Sequence, residues 1–259
     1  MDLGLSGRKA IVCASSKGLG RGCAEALASE GCTVVINGRS DDILSKTADE
    51  IREATGATIL PVAADVSTPE GQALLLAACP DPDILVNNNG GPPRRSYKEL
   101  SREAMVDGAI QNMITPIELI QAVIDGMVER GFGRIVNITS LSVKMPIEGL
   151  DLSSGARAGL TGFMAGVCRT FTQHNVTVNN LLPGKMDTDR LRGGIAGSAK
   201  AAGVDFDTAA QKQREEIPAQ RFGNAEEFGK TCAFLCSDHA GYITGQNILI
   251  DGGLFNGAF

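Results

Sequence analysis

Short β-branched runs alternate with helix-patterned stretches from one end of this chain to the other. Lys9–Cys13, Thr33–Asn37, Thr58–Ala63, Asp83–Asn87, Arg134–Thr139, Val176–Leu181 and Asn247–Ile250 read as strands. Gly18–Glu30, Asp41–Thr55, Pro69–Ala78, Arg102–Arg130, Ser153–Gln173, Thr208–Glu216 and Ala225–Ser237 read as helices, with Ser67 and Thr68 as cap candidates for the third. Strands separated by helices of 10 or more residues imply right-handed βαβ units on a parallel sheet. Runs such as AIVCA and DILVN are apolar, as strands are when helices cover both faces. The expectation is one doubly wound α/β domain over residues 1–259, with a seven-stranded parallel sheet and no internal linker.

Composition narrows the function classes. Gly is abundant at 32 residues beside an ordinary 10 Pro, which suits many tight βα turns. The formal net charge of −6 argues against generic nucleic-acid binding, which needs a basic face. No apolar run approaches the roughly 20 residues of a membrane span. Arg8-Lys9 precedes only a short apolar run, Ala10–Ala14, so no signal peptide is read and a cytoplasmic location is expected. Seven cysteines, an odd number, contain no CxxC, and there are only two His, so no metal site is expected. Cys232 and Cys236, at helical spacing, read as small apolar core residues.

A glycine turn follows the first strand directly. Ala14-Ser15-Ser16-Lys17-Gly18-Leu19-Gly20 links that strand to a helix, where small residues let backbone amides approach a pyrophosphate at the positive helix end. Strand 2 ends Asn37-Gly38-Arg39, without the acid that usually binds the ribose 2′-hydroxyl of NAD. Lys17 and Arg39 therefore suit the extra phosphate of NADP, although two solvated surface cations would look the same. The Gly- and Ala-rich stretch Arg192–Gly203, within residues 186–217, reads either as a mobile substrate flap or as a surface insertion.

These motifs, taken in order, resemble the short-chain dehydrogenase/reductase family, and in particular its 3-oxoacyl-carrier-protein reductase-like branch. Ala14–Gly20 has the spacing of the family's glycine turn, and Asp65-Val66 resembles its adenine-binding pair. Asn87-Asn88-Asn89-Gly90 resembles its NNAG motif, and Asn112 stands where the long helix carries a catalytic Asn. Gly133–Ser140 resembles its fifth strand, with Ser140 at the catalytic Ser position. Pro183-Gly184 through Thr188 resembles the segment that holds the nicotinamide, and Gly245-Gln246 with Asp251-Gly252-Gly253 its last strand. The resemblance implies a Rossmann-like fold and a cofactor site of Ala14, Ser16, Lys17, Gly18, Leu19, Gly20, Arg39, Asp65, Val66, Asn88, Asn89, Gly90, Pro183, Gly184 and Thr188. Helices Arg102–Arg130 and Ser153–Gln173 resemble the family's dimer-forming pair, which often builds tetramers, so a homotetramer is expected, although core packing alone would also explain their apolar positions.

Three positions depart from the family. Ala14 replaces the first glycine of the turn, a change that a negative φ would tolerate. Asn89 replaces the NNAG alanine and puts an amide where the cofactor ribose would pass. Ser153 and Arg157 replace the YxxxK pair. The phenol of that Tyr moves the proton, and the Lys lowers its pKa. A Ser hydroxyl is a weaker acid, and Arg stays protonated and outside any proton relay. Tyr97, Tyr242, Lys144 and Asp151 are substitute donors by position in the chain, or ordinary loop residues, and Pro92-Pro93-Arg94-Arg95 either stiffens its loop or meets an anionic substrate. His174 and His239 read as helix-end surface residues.

Three functions remain open. The first is an NADP(H)-dependent oxidoreductase of a small carbonyl or 3-oxoacyl substrate, its catalytic residues Asn112, Ser140, Ser153 and Arg157 in an atypical proton-donor arrangement. The second is a lyase, aldolase or isomerase on the same fold, and the third a catalytically silent NADPH-binding protein.

Overall fold

The computed structural model describes residues 1–258. Its sheet runs β3-β2-β1-β4-β5-β6-β7, every pair parallel: β1 Lys9–Val12, β2 Thr33–Gly38, β3 Ile59–Ala63, β4 Ile84–Asn87, β5 Gly133–Ile138, β6 Val176–Pro183 and β7 Asn247–Ile250. The doubly wound seven-stranded architecture is the one read from the alternation of elements. The strand order turns back on itself between β1 and β4, and a crevice opens there beyond the carboxyl ends of the strands.

Side chains alternate along each strand, so two cores form, one per face. Ala10 and Val12 join the core under α1 (Gly18–Ser29), α2 (Asp41–Thr55) and α9 (Ala225–Cys236). Ile11 and Cys13 join the core under α3 (Pro69–Ala78), α5 (Thr115–Glu129) and α6 (Asp151–Phe171). α1 and α9 cross backbone to backbone: a methyl group on Gly22 would lie 2.2 Å from the carbonyl oxygen of Ala225. All seven cysteines are free and buried, Cys232 and Cys236 included.

Two helical readings change. The stretch expected as one helix from Arg102 to Arg130 divides into α4 (Arg102–Ala109), a π-helical turn Ile110–Ile114 and α5. A π turn inserts one residue per turn and swings the side chains that follow, which is why such turns gather at functional sites. The Gly- and Ala-rich segment is ordered as α7 (Asp189–Ala202), capped by Thr188, with Ile195 and Ala199 buried. α8 (Phe206–Glu215) packs beside it. Three glycines inside α7 lower its intrinsic helicity, but buried Ile195 and Ala199 supply the tertiary support.

The sheet also carries a polar ladder. Asn87, Asn137, Asn180 and Asn247 stand in register on β4 to β7. Each amide donates to the next carbonyl: Asn87 to Asn137 at 2.9 Å, Asn137 to Asn180 at 3.0 Å, Asn180 to Asn247 at 2.8 Å. Paired polar groups inside an otherwise apolar sheet admit only one register, because a slip would leave the amides unpaired.

Candidate active site

The crevice begins at the turn after β1. Ala14 takes φ +44°, in the left-handed region, so the negative φ that would make its methyl group costless is not adopted. Two bonds hold the turn there: the Ala14 amide donates to Asn37 Oδ1 at 3.2 Å, and the Ala14 carbonyl accepts from Asn88 Nδ2 at 3.0 Å. Gly20 is obligatory beneath it, since a methyl group at that position would lie 2.4 Å from the Ala14 carbonyl oxygen.

α1 then starts without a side-chain cap and without an acidic residue in its first turn. By contrast α3, α4, α7, α8 and α9 are capped by Thr68, Ser101, Thr188, Asp205 and Asn224. The first amides of an uncapped helix are open donors at the positive end of its dipole, which is the chemistry a pyrophosphate requires. Thr188 closes the other wall: a methyl group on Gly18 would meet its Cγ2 at 3.5 Å. Gly184 sits against Asp251, where no Cβ fits, and its amide donates to Ile250 at 2.9 Å.

On the β2 side, Arg39 is exposed, and no carboxylate ends the strand. Asp65 faces Arg39 electrostatically, but its carboxylate accepts from the amide and hydroxyl of Ser67, and these bonds hold it below the ordinary Asp range. The Val66 side chain lies in the core under α3, α5 and α6, so only its backbone can face a ligand. Lys17 points toward the start of α7 and lies 3.8 Å from the Asp189 carboxylate.

The catalytic candidates converge at the end of β5 and the first turns of α6. Ser140 is half-buried and accepts from the Ser142 amide at 3.1 Å. Ser153 and Arg157, one helical turn apart, are both buried, and Arg157 Nε donates to Ser153 Oγ at 3.3 Å. Arg157 Nη1 donates to the Ile138 carbonyl at 2.5 Å. Burial pushes the Arg157 guanidinium down to about 10, and the charge of Arg190 adds to the effect. It is still a cation at neutral pH.

Asn112 lies in the π turn, buried, its Nδ2 donating to Gly108 at 3.4 Å. Among the described residues its Oδ1 has no partner, and neither has Asn87 Oδ1. Both residues line one cavity of about 10 Å³ with Arg157, Asn88, Gln111 and Asn137. A polar space of that size holds one water, and acceptors without a partner suit its protons. Asn89 bends back on the chain: its amide donates to Gln111 at 3.3 Å, and its Oδ1 accepts from Gly90 at 2.8 Å, so the amide is engaged by the π turn. Gly90 itself has open space around it.

None of the substitute donors is buried in this cluster. Tyr97 and Tyr242 are 68% and 102% exposed, Asp151 is exposed, and Lys144 stands over the Phe255 ring. Reading by spacing missed the asparagine ladder and Arg190. The signal for the ladder was present, an Asn in each of four strands, but only pairing gives it meaning.

A family model described as "Enoyl-(Acyl carrier protein) reductase" matches residues 13–255. The 3-oxoacyl-[acyl-carrier-protein] reductase FabG of Aquifex aeolicus is 32% identical over 259 residues, covering 98% of this chain and 100% of that protein. The NADPH-dependent reductase BacG of Bacillus subtilis is 32% identical over 254 residues, covering 96% and 98%. The L-sorbose reductase of Gluconobacter frateurii, solved with NADPH and L-sorbose, superposes with a TM-score of 0.94 at 30% identity, covering 99% and 100%.

Proposed function

Because this chain belongs to the short-chain dehydrogenase/reductase family, we propose that it is an NADP(H)-dependent reductase of a carbonyl or 3-oxoacyl substrate with an unusual proton route. The observation that carries the reading is the uncapped, acid-free start of α1 after the glycine turn, with a buried Ser153–Arg157 pair where the phenol and amine would stand. The uncapped amides of α1 bind the pyrophosphate, Thr188 walls it in, and Arg39 takes the 2′-phosphate. When bound, NADPH supplies the hydride that goes to the carbonyl carbon.

Ser140 donates a hydrogen bond to the carbonyl oxygen and polarises it. Ser153 Oγ already accepts from Arg157, so its own O–H is free to donate toward the oxygen that gains charge. The buried cation of Arg157 stabilises that charge in a medium of low dielectric. The proton that Ser153 gives up returns from bulk solvent by way of the water held beside Asn87 and Asn112, since Arg157 does not release one. Residues 186–217, with α7 and α8, form the substrate cover, tied to the rest of the site through Arg190 and Asp189.

The test has two stages. Calorimetry shows NADPH binding, and its failure ends the reading. Nicotinamide absorbance then reports turnover on a panel of ketones and 3-oxoacyl thioesters. The double substitution Ser153→Tyr with Arg157→Lys raises turnover on the order of 100-fold, the usual worth of a placed general acid. NADPH binding with no turnover, and no gain in the double variant, identifies a silent nucleotide binder or a non-redox enzyme instead.

A further inference from the structure

Three arginines gather beside the site with no carboxylate among them. Arg157 is buried on α6. Arg190, in the first turn of α7, donates Nη1 to the Gly91 carbonyl at 2.8 Å and Nη2 to the Pro92 carbonyl at 3.0 Å, so it sits directly on the loop that leaves β4. Arg94 lies two residues further along that loop and is exposed. The positive charge of Arg190 disfavours the charged form of Arg157, and Arg94 does the same to Arg190.

Among the described residues, none of the three has an Asp or Glu within 4.0 Å. The carboxylates at the start of α7 are engaged elsewhere. Asp187 is held by Arg192 at 2.8 and 3.1 Å, and Asp189 faces Lys17 at 3.8 Å. Arg21, by contrast, is paired with Glu25 and Glu50, and Arg221 with Glu227. A row of like charges raises the free energy of the folded chain unless an anion enters it. Two of the five Arg190 donors are used on backbone carbonyls, which fixes the guanidinium and leaves the other three for a ligand.

We propose that the substrate of the reductase inferred above carries an oxyanion group, a carboxylate or a phosphate, and that Arg190 anchors it with Arg94 in support. The proposal rests on the reductase reading for the word substrate, but the anion site is testable apart from it. Arg190 is then a specificity-determining residue, which selects charged carbonyl compounds over neutral ones of the same shape.

The experiment measures binding of four probes to the full chain by calorimetry, each with and without saturating NADP. The probes are acetoacetate against methyl acetoacetate, and dihydroxyacetone phosphate against dihydroxyacetone. At least one acid binds 10-fold or more tightly than its neutral partner, and the pair that shows the preference identifies carboxylate or phosphate. Arg190→Gln abolishes the preference, Arg190→Lys retains part of it, Arg94→Gln weakens it, and NADPH affinity stays within about 2-fold. Equal binding of acid and neutral probe, no binding of either acid, or a preference that survives Arg190→Gln overturns the proposal. So does a loss confined to NADPH, which would assign Arg190 to the cofactor's own phosphates. A preference that holds while NADPH fails to bind retains the anion site and removes the reductase reading.

Discussion

Replacing Ala14 by glycine relieves a strain that the turn after β1 holds in place. Ala14 sits at φ +44°, pinned by Asn37 Oδ1 on its amide and Asn88 Nδ2 on its carbonyl. The left-handed region costs a residue with a Cβ roughly 1–2 kcal/mol and glycine almost nothing. Glycine gives back about 0.4–1 kcal/mol through the larger freedom of the unfolded chain. The balance is a stabilisation of about 0.5–1 kcal/mol for Ala14→Gly. In a chain of this size that raises the melting temperature by about 1–4 °C. Ala14→Val is the opposing control, because a β-branched side chain at positive φ loses about 1–3 kcal/mol. Urea midpoints and thermal melts on the three proteins settle the order. If the glycine variant equals or falls below the parent, the turn is not strained and the reasoning fails.

Arg39→Gln lowers NADPH affinity by about 10–100-fold and leaves NADH unchanged, whereas Lys17→Gln has a smaller effect because Lys17 faces Asp189; an equal loss for both cofactors would place Arg39 away from the 2′-phosphate. Asn112→Ala reduces kcat by at least about 10-fold with the KM for NADPH unchanged, and the melting temperature falls little, since its Oδ1 has no partner among the described residues and its one bond, from Nδ2 to Gly108, is long at 3.4 Å. A fall in stability that parallels the fall in kcat would make Asn112 a structural residue only. Burial raises the thiols of Cys13 and Cys32 from 9.0 to about 12. The unfolded chain therefore releases those protons first, so their stabilisation is complete below pH 9 and is lost as pH rises toward 12. At pH 10 the loss is about 1.4 kcal/mol per thiol, and Cys13→Ala flattens the decline of the urea midpoint between pH 8 and 10. An unchanged slope in that variant refutes the assignment.

Sequence pattern alone determined the order of strands and helices, the parallel sheet and the crevice at its carboxyl ends. Those features follow from local periodicity and from the handedness of βαβ connections, and both are written into the order of apolar residues. Tertiary structure decided the rest. The sign of φ at Ala14 depends on Asn37 and Asn88, which reach it from β2 and from the end of β4. The π turn that carries Asn112 is invisible to a helical repeat, because Ile110, Met113, Ile117, Ile120 and Ile124 keep helical three- and four-residue steps across it. The helix α7 in a Gly- and Ala-rich stretch forms because Ile195 and Ala199 are buried. Asn87 and Asn112, each with an orphaned oxygen, line one cavity from two elements, and Arg190 reaches Gly91 across nearly a hundred residues of chain. Such contacts are properties of which segments the fold brings together, and no window along the chain contains both partners.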